Sequence, residues 1–388
     1  MGPGNESEHD APTTTVGLGV IAREWGRLGC IGFGGPPTHI ALLRELCVER
    51  RGWLAADDFE DAIATCNLLP GPASTQLAIL CAWRIRRSAG AIVGGLCFIL
   101  PGLALILLLA AIFLAASPPL WVRGAAAGAG AAVAAVALRA GVSLVEPSWR
   151  RAASARRWLG YALLGGATAA LAGPWVVLAL VACGLVEIVA SRSSRQLPAL
   201  AVVWAPLATL TATVPALAWV SFKVGALSYG GGFVIIPLMQ ADAVSTHHWM
   251  SAAQFLDAVA LGQITPGPVV LTVAVVGYAA AGLAGGVVAA AVAFSPSFGL
   301  VLLGARHFDR LRRSARVRAF LAGAGPAAIG AILGSAIPLA REIHHAWQVA
   351  VLAGAAASLF VLRRGVVATL LLAGVVGVAA ALLGASTP

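Results

Sequence analysis

Apolar runs of about twenty residues alternate along this chain with short polar or basic stretches, a period that fits membrane-crossing helices and not strands or the half-polar helices of a water-soluble core. Such runs fall at about 89–116, 124–145, 158–172, 174–190, 199–220, 285–305, 319–340, 347–362 and 365–385. Two further regions are apolar but interrupted. The first is broken at the glycine-rich Gly29 to Pro37 and again at Asn67-Leu68-Leu69-Pro70-Gly71-Pro72-Ala73-Ser74-Thr75-Gln76. The second carries Tyr229-Gly230-Gly231-Gly232 and then Gln263-Ile264-Thr265-Pro266-Gly267-Pro268. A helix cannot continue through Pro-Gly-Pro, because the two rings remove amide donors and clash with preceding carbonyls. Each region is therefore predicted to be a broken helix, either re-entrant or a pair of short crossings. Its freed backbone must face protein or a water-filled cavity.

The two interrupted regions are copies. An offset of 196 positions, taken without a gap, places Gly29 on Gly225, Gly34-Gly35 on Gly230-Gly231 and Trp53 on Trp249. It also places Phe59 on Phe255, Asp61 on Asp257 and Phe98 on Phe294. A helix is expected just after each tryptophan, with Asp57 and Glu60 resembling a capping box in one copy and Ser251 and Gln254 in the other. The arginines, however, do not match. Arg84, Arg86 and Arg87 face the uncharged Ala280 to Leu283, whereas Arg306 to Arg318 holds six arginines and its counterpart around 110–123 holds only Arg123. Arginine marks the cytoplasmic side of short loops, so equivalent loops lie on opposite faces and the copies are inverted repeats.

The expected organisation is a cytoplasmic tail 1–17, a first repeat 18–190, a cytoplasmic linker 191–198, an extra helix 199–220 that inverts the second copy, and a second repeat 221–388. The fold class is an all-α polytopic membrane protein with about thirteen segments, within a range of about ten to fourteen. Paired interruptions at matching places in two halves point to a transporter's substrate site.

Composition agrees. Of 388 residues 59% are hydrophobic and 11% charged, against roughly a quarter charged in a soluble domain. The net charge of +10 is read as the positive-inside signal and not as a nucleic-acid surface. Met1 to Pro12 lacks a basic n-region, so no cleavable signal is expected. Cys30, Cys47, Cys66, Cys81, Cys97 and Cys183 form no Cys-x-x-Cys pair and no metal spacing, and read as small hydrophobes. No metal and no cofactor is expected. Gly90, Gly94-Gly95, Gly282 and Gly285-Gly286 read as small residues for close helix packing.

At each interruption the resuming half-helix offers amide donors and a partial positive charge, which suit an anion. Candidate binding residues are Gly34, Gly35, His39, Asn67, Pro70, Gly71, Pro72, Ser74, Thr75 and Gln76, with Tyr229, Gly230, Gly231, Gln263, Thr265, Pro266, Gly267 and Pro268. Thr272 adds a further hydroxyl. Asp61 and Asp257, on the helices leading to the breaks, are either proton carriers or acids favouring a helix start. Arg27 and its mate Lys223 either attract an anion or snorkel at a segment end. His39 is a ligand or a packing residue with its nitrogens satisfied.

Gly32-Phe33-Gly34-Gly35-Pro36, Glu49-Arg50-Arg51-Gly52-Trp53-Leu54 and Leu68 to Ala78 resemble the amino-terminal signature of the chromate ion transporters. Ser228-Tyr229-Gly230-Gly231-Gly232 with Thr265-Pro266-Gly267-Pro268 resembles the second-half version, so the chain is similar to the long, two-domain form. The resemblance implies a secondary active transporter, not an enzyme, that exports chromate from the cytoplasm of a prokaryote across the plasma (inner) membrane. Protonmotive force would drive it, sulfate would compete, and chromate resistance would follow. The expected partners are the oxyanion, protons and the lipid bilayer, with no nucleic acid, an N-terminus in the cytoplasm, and monomer or homodimer left open. The alternatives are a transporter of sulfate or another tetrahedral oxyanion and, from a different class, a membrane-bound chromate reductase. Two departures separate the halves: the second lacks the proline at Pro36 and the basic pair Arg50-Arg51.

Overall fold

The computed structural model describes residues 16–115, 117–191, 213–228, 234–308 and 314–386. Helix dominates, and the described residues contain no strand. The first half runs α1 (Leu18–Ile31), α2 (Pro36–Arg44), a π-helical turn (Glu45–Arg50), α3 (Ala56–Cys66), α4 (Ala73–Phe113), α5 (Leu120–Trp149), α6 (Ala155–Leu171) and α7 (Val176–Ala190). The second half repeats it as α8 (Thr213–Leu227), α9 (Ile235–Gln240), a π-helical turn (Ala241–Thr246), α10 (Ala252–Ile264), α11 (Thr272–Gly304), α12 (Ala315–Arg341), α13 (Ala346–Ala356) and α14 (Val366–Leu382).

Backbone geometry repeats with the sequence. The two π-helical turns lie 196 positions apart, as do the positive-φ residues Gly52 and His248. Phe59 and Phe255 are fully buried in both copies. Beyond the Pro-Gly-Pro interruptions the offset becomes 195. The reversal at Arg86 (φ −140°, ψ 28°) and Arg87 (φ 51°, ψ −143°) recurs at Ala281 (φ −151°, ψ 32°) and Gly282 (φ 63°, ψ −156°). Pro101 thus matches Pro296, and Gly29 packs on the Phe98 carbonyl as Gly225 packs on that of Ala293. The ungapped pairing of Phe98 with Phe294 is therefore off by one. A short 3-10 turn, Val269–Leu271, begins the second copy's resuming helix where the first copy is α-helical.

Four helices, α4, α5, α11 (counted from Val269) and α12, are long and apolar enough to cross a membrane; α7, α8, α13 with the π-helical turn that continues it (Ala357–Val361), and α14 are shorter apolar helices. The remaining segments of the expected thirteen would have to come from short and half-length helices. Both α4 and α11 fold back on themselves. Gly90 and Gly94 sit against Ala82 and Gly95 against Ile79, while Gly285 sits against Gly277 and Gly286 against Ala274. Small residues let the two arms touch, as expected for Gly90, Gly94, Gly95, Gly285 and Gly286. Gly282 does something else: nothing lies near its Cβ position, and its positive φ forms the reversal itself. Outer helices show large apolar side chains to the exterior, among them Leu163, Leu171 and Val375.

The expected extra helix 199–220 lies for the most part outside the described residues. Its last residues belong to α8, which at the same offset is the counterpart of α1. The tail to residue 15 and the linker from residue 192 also lie outside the described residues. Of the two expected capping boxes, Ser251 with Gln254 is formed, with Gln254 N–H donating to Ser251 Oγ at 3.1 Å. The other is not: α3 starts at Ala56 with no side-chain cap, and Glu60 instead pairs with Arg44.

Candidate functional site

The first interrupted segment doubles back. Arg84, at the far end of α4's first arm, donates to the Asp58 carbonyl at the start of α3, and its guanidinium lies 3.7 Å from the Asp58 carboxylate. Entrance and exit of the segment are therefore together, with the Pro70-Gly71-Pro72 tip between. The segment before it does the same: Arg50 and Arg51, after α2, both pair with Glu24 on α1, Arg50 at 2.6 Å. Its tip is Gly32 to Gly35, where Gly34 and Gly35 take φ of +100° and +76°. In the second copy the corresponding tie is Lys223 Nζ to Asp242 Oδ2 at 2.6 Å. Lys223 is thus paired with a carboxylate in this structure. Arg27 is exposed and, like Lys223, lines neither of the two cavities described below.

The tips meet at the centre. The Gly32 carbonyl accepts from His39 Nε2 at 2.9 Å and from the Gly267 amide at 3.0 Å, and His39 Nδ1 lies 3.2 Å from Ser74 Oγ. His39 is buried with both nitrogens engaged and its ring edge-on to Phe98 at 5.0 Å. It joins three chain segments. Each Pro-Gly-Pro also abuts the long arm of the other copy. A Cβ on Gly71 would lie 3.3 Å from Ser297 Oγ, and one on Gly102, the equivalent of Ser297, would lie 2.2 Å from the Pro266 carbonyl. The second arms of α4 and α11 cross between the tips, with Gly95 against Phe298 and Gly286 against Leu107. Residue numbers rise along one arm as they fall along the other, so these arms are antiparallel.

A cavity of about 1040 Å³ opens beside the tips and is lined by Gly34, Gly35, Asn67, Gly71 and Gln263 of the predicted residues. His39, Pro70, Pro72, Ser74, Thr75, Gln76 and Thr265 to Pro268 stand behind that wall, most of them buried. Tyr229, Gly230 and Gly231 lie outside the described residues. Several expected donors are already committed. Thr265 Oγ1 donates to the Leu261 carbonyl (2.9 Å) and Thr272 Oγ1 to that of Val269 (2.8 Å), while Gln76 Nε2 spans the break to Pro70 O (2.7 Å). Among the described residues the buried side-chain polar atoms without a partner are Thr75 Oγ1, Gln76 Oε1, Gln263 Nε2, Ser297 Oγ, Ser221 Oγ and Ser228 Oγ. Burying such groups unpaired is unfavourable. Thr75, Gln263 and Ser297 carry the uncommitted donors nearest the tips.

The sequence reading missed Arg139. It lines the same cavity from within α5, alongside Arg151, Arg157, Arg318 and one acid, Glu187. A charge in the interior of an apolar span was the available signal. A second cavity of about 370 Å³ adjoins the other ends of α5 and α12 and is lined by Arg123, Asp257 and Glu342. Asp257 lies there, while Asp61 is exposed and lines neither cavity, so the two acids are not equivalent. Among the described residues no cluster of three metal-ligating side chains occurs. Cys47, Cys66, Cys81 and Cys183 are buried free thiols, whereas Cys30 is exposed.

Comparison with known proteins gives a coherent answer. The profile of the family described as "Chromate transporter" matches residues 20–188 and 215–378, one block in each half. A chromate transport protein of Cupriavidus metallidurans is 34% identical over 346 residues, covering 87% of this chain and 85% of that protein. One of Pseudomonas aeruginosa is 30% identical, covering 81% and 79%. An uncharacterized transporter of Methanocaldococcus jannaschii is 25% identical, covering 74% and 76%. No solved structure matches. These relatives are named for transport and not for catalysis, and with the apolar helices they identify a multi-pass membrane protein.

Proposed function

The chain belongs to the chromate transporter family, and from that membership we propose that it is a secondary active transporter exporting chromate from the cytoplasm, driven by the protonmotive force. It would sit in the inner membrane with its N-terminus in the cytoplasm and confer chromate resistance. The observation that carries this reading is the convergence of interrupted segments from both copies beside a large cavity: the Gly267 amide bonds the Gly32 carbonyl, and His39 links that carbonyl to Ser74, just after the first Pro-Gly-Pro. Interrupted segments from two repeats place a transporter's substrate near the midplane.

The antiparallel arms of α4 and α11 favour inverted over parallel repeats. A two-fold axis along the membrane normal would leave equivalent crossing arms parallel, whereas an axis in the membrane plane reverses one of them. Inversion requires an odd number of crossings between equivalent points of the two copies. Chromate is divalent, so its dehydration must be offset by several donors at once. The Thr75 and Ser297 hydroxyls, the Gln263 amide, Asn67 and the first amides of α4 are the available set. Sulfate has the same charge and shape, and transport of sulfate or a similar tetrahedral oxyanion is the second reading.

Everted membrane vesicles decide between them. Energised vesicles should accumulate unreduced chromate, lose it on addition of an uncoupler, and show competition by sulfate. Accumulation that ignores the uncoupler removes the protonmotive element. Saturable uptake of sulfate with no uptake of chromate transfers the assignment to sulfate. Reduced chromium as the product would support the reductase.

A further inference from the structure

Arg139 stands nineteen residues into the thirty-residue α5. Charge there is costly unless it is used. It is half-buried and lines the 1040 Å³ cavity whose inner wall holds Gly71 and Gln263. Among the described residues it makes no salt bridge. Its guanidinium lies over the Phe360 ring, 5.8 Å from the centroid. The duplicate gives it no mate, since α12 carries no charged side chain between Arg318 and Arg341. Fold symmetry therefore does not account for it.

The cavity around Arg139 is cationic. Its lining holds Arg139, Arg151 and Arg157, together with Arg318, which has a partner of its own, against one described carboxylate, and that carboxylate is occupied: Glu187 lies 3.3 Å from Arg157 and accepts from the Tyr161 hydroxyl at 2.9 Å. Among the described residues Arg151 makes no salt bridge, and it spends one N–H on the Pro147 carbonyl. The smaller cavity at the other end of α5 has the reverse balance, with Asp257 and Glu342 against Arg123. A guanidinium presents a planar fork of donors that fits two oxygens of a tetrahedral oxyanion, and it stays charged at any relevant pH.

We propose that Arg139, within this arginine-lined cavity, is the anchor of a binding site for a divalent tetrahedral oxyanion, set before the Pro-Gly-Pro tips on the arginine-rich side of the membrane. The site concentrates the anion and hands it to the neutral donors at the tips. It rests on the transport reading for its purpose, although binding can be measured without transport.

Arg139→Gln and Arg139→Lys are compared with the wild type in two assays. In everted vesicles the Gln variant should raise the KM for chromate about tenfold or more, the factor set by losing a charge-assisted hydrogen bond. The maximal rate should stay within about twofold, since only ground-state capture is lost. Lys, a point charge without the fork, should recover part of the KM. Raising ionic strength should weaken wild-type uptake more than that of the Gln variant. Titration calorimetry on the detergent-purified protein, with sulfate and with chromate, should show the same loss of affinity.

An unchanged KM and an unchanged dissociation constant in Arg139→Gln overturn the proposal. A wild type that binds the anions but does not transport them overturns the transport reading and leaves this site standing. Should the Gln variant fail to reach the membrane, phenylglyoxal labelling of the wild type, read at Arg139 by mass spectrometry, gives the answer. Protection by sulfate or chromate is expected, and labelling that neither anion slows refutes the site.

Discussion

Gly71 and Gly267 adopt nearly the same backbone, with φ of +121° and +103°, yet their surroundings differ. On the first break Asn67 and Pro70 are exposed and Gly71 borders the large cavity, facing the unpartnered hydroxyl of Ser297. The second break is buried from Thr265 through Leu271, its Gly267 amide is committed to Gly32 O, and its Pro266 carbonyl packs on Gly102. Duplication supplied one shape twice. On the proposed transport reading, divergence at the equivalent pair Gly102 and Ser297 leaves the first break to meet the ligand and makes the second a strut that holds it in place.

The largest effect should come from that strut. In Gly102→Ala the new methyl would sit 2.2 Å from the Pro266 carbonyl, a backbone atom that cannot swing aside. Overpacking costs about 1–3 kcal/mol and occasionally more, and a clash with backbone belongs at the upper end. The variant should show a large fall in the thermal midpoint of the purified protein and lose most uptake. Ser297→Gly at the equivalent place creates no clash and should leave the midpoint nearly unchanged. A Gly102→Ala protein as stable as the wild type would remove the distinction between strut and ligand-facing break.

Next in size is the direct comparison of Gly71→Ala with Gly267→Ala. Both place a side chain at a φ that glycine tolerates and alanine resists, at a cost of about 1–3 kcal/mol. At Gly71 the methyl would also lie 2.5 Å from Gln76 Nε2, breaking the bond that spans the gap to Pro70 O. At Gly267 it meets only a leucine methyl at 3.3 Å and Gly102 Cα at 3.9 Å. Uptake should therefore fall further in Gly71→Ala than in Gly267→Ala, by about tenfold, with membrane levels of the two proteins similar. Equal losses would mean that both tips face substrate alike.

Much of this layout was legible before any coordinates, because prolines and glycines inside apolar runs constrain backbone wherever they fall. The register of the copies came from that punctuation and failed where it relied on a phenylalanine. Phe98 and Phe294 are one apolar residue among many on their helices, and matched dihedrals at Arg87 and Gly282 put Ala293 opposite Phe98 instead. The hydroxyls of Thr265 and Thr272 each bond a carbonyl three or four residues back, as a threonine in or beside a helix readily does, a local bond that the motif alone does not reveal. The partner of Lys223 is nineteen positions away across a turn, and only tertiary structure reveals it. Arg139 needed no structure to be noticed, only attention to a lone charge inside a span.

The smallest expected effect lies at the reversal, where the copies differ in residue but not in shape. Arg87 holds φ 51° and ψ −143°, a conformation in which its counterpart is Gly282. Arg87→Gly relieves a strain of about 1–3 kcal/mol. Against that stand the guanidinium over Trp83 at 4.7 Å, worth about 0.5–1 kcal/mol at an exposed site, and the greater freedom of glycine in the unfolded chain, about 0.5–1 kcal/mol. The net should be a small gain, about 0.5 kcal/mol, seen as a slightly higher thermal midpoint with uptake unchanged. A clear loss of stability would mean that Arg87 is held by contacts stronger than the strain it carries, and that the two reversals, alike in angle, are stabilised in different ways.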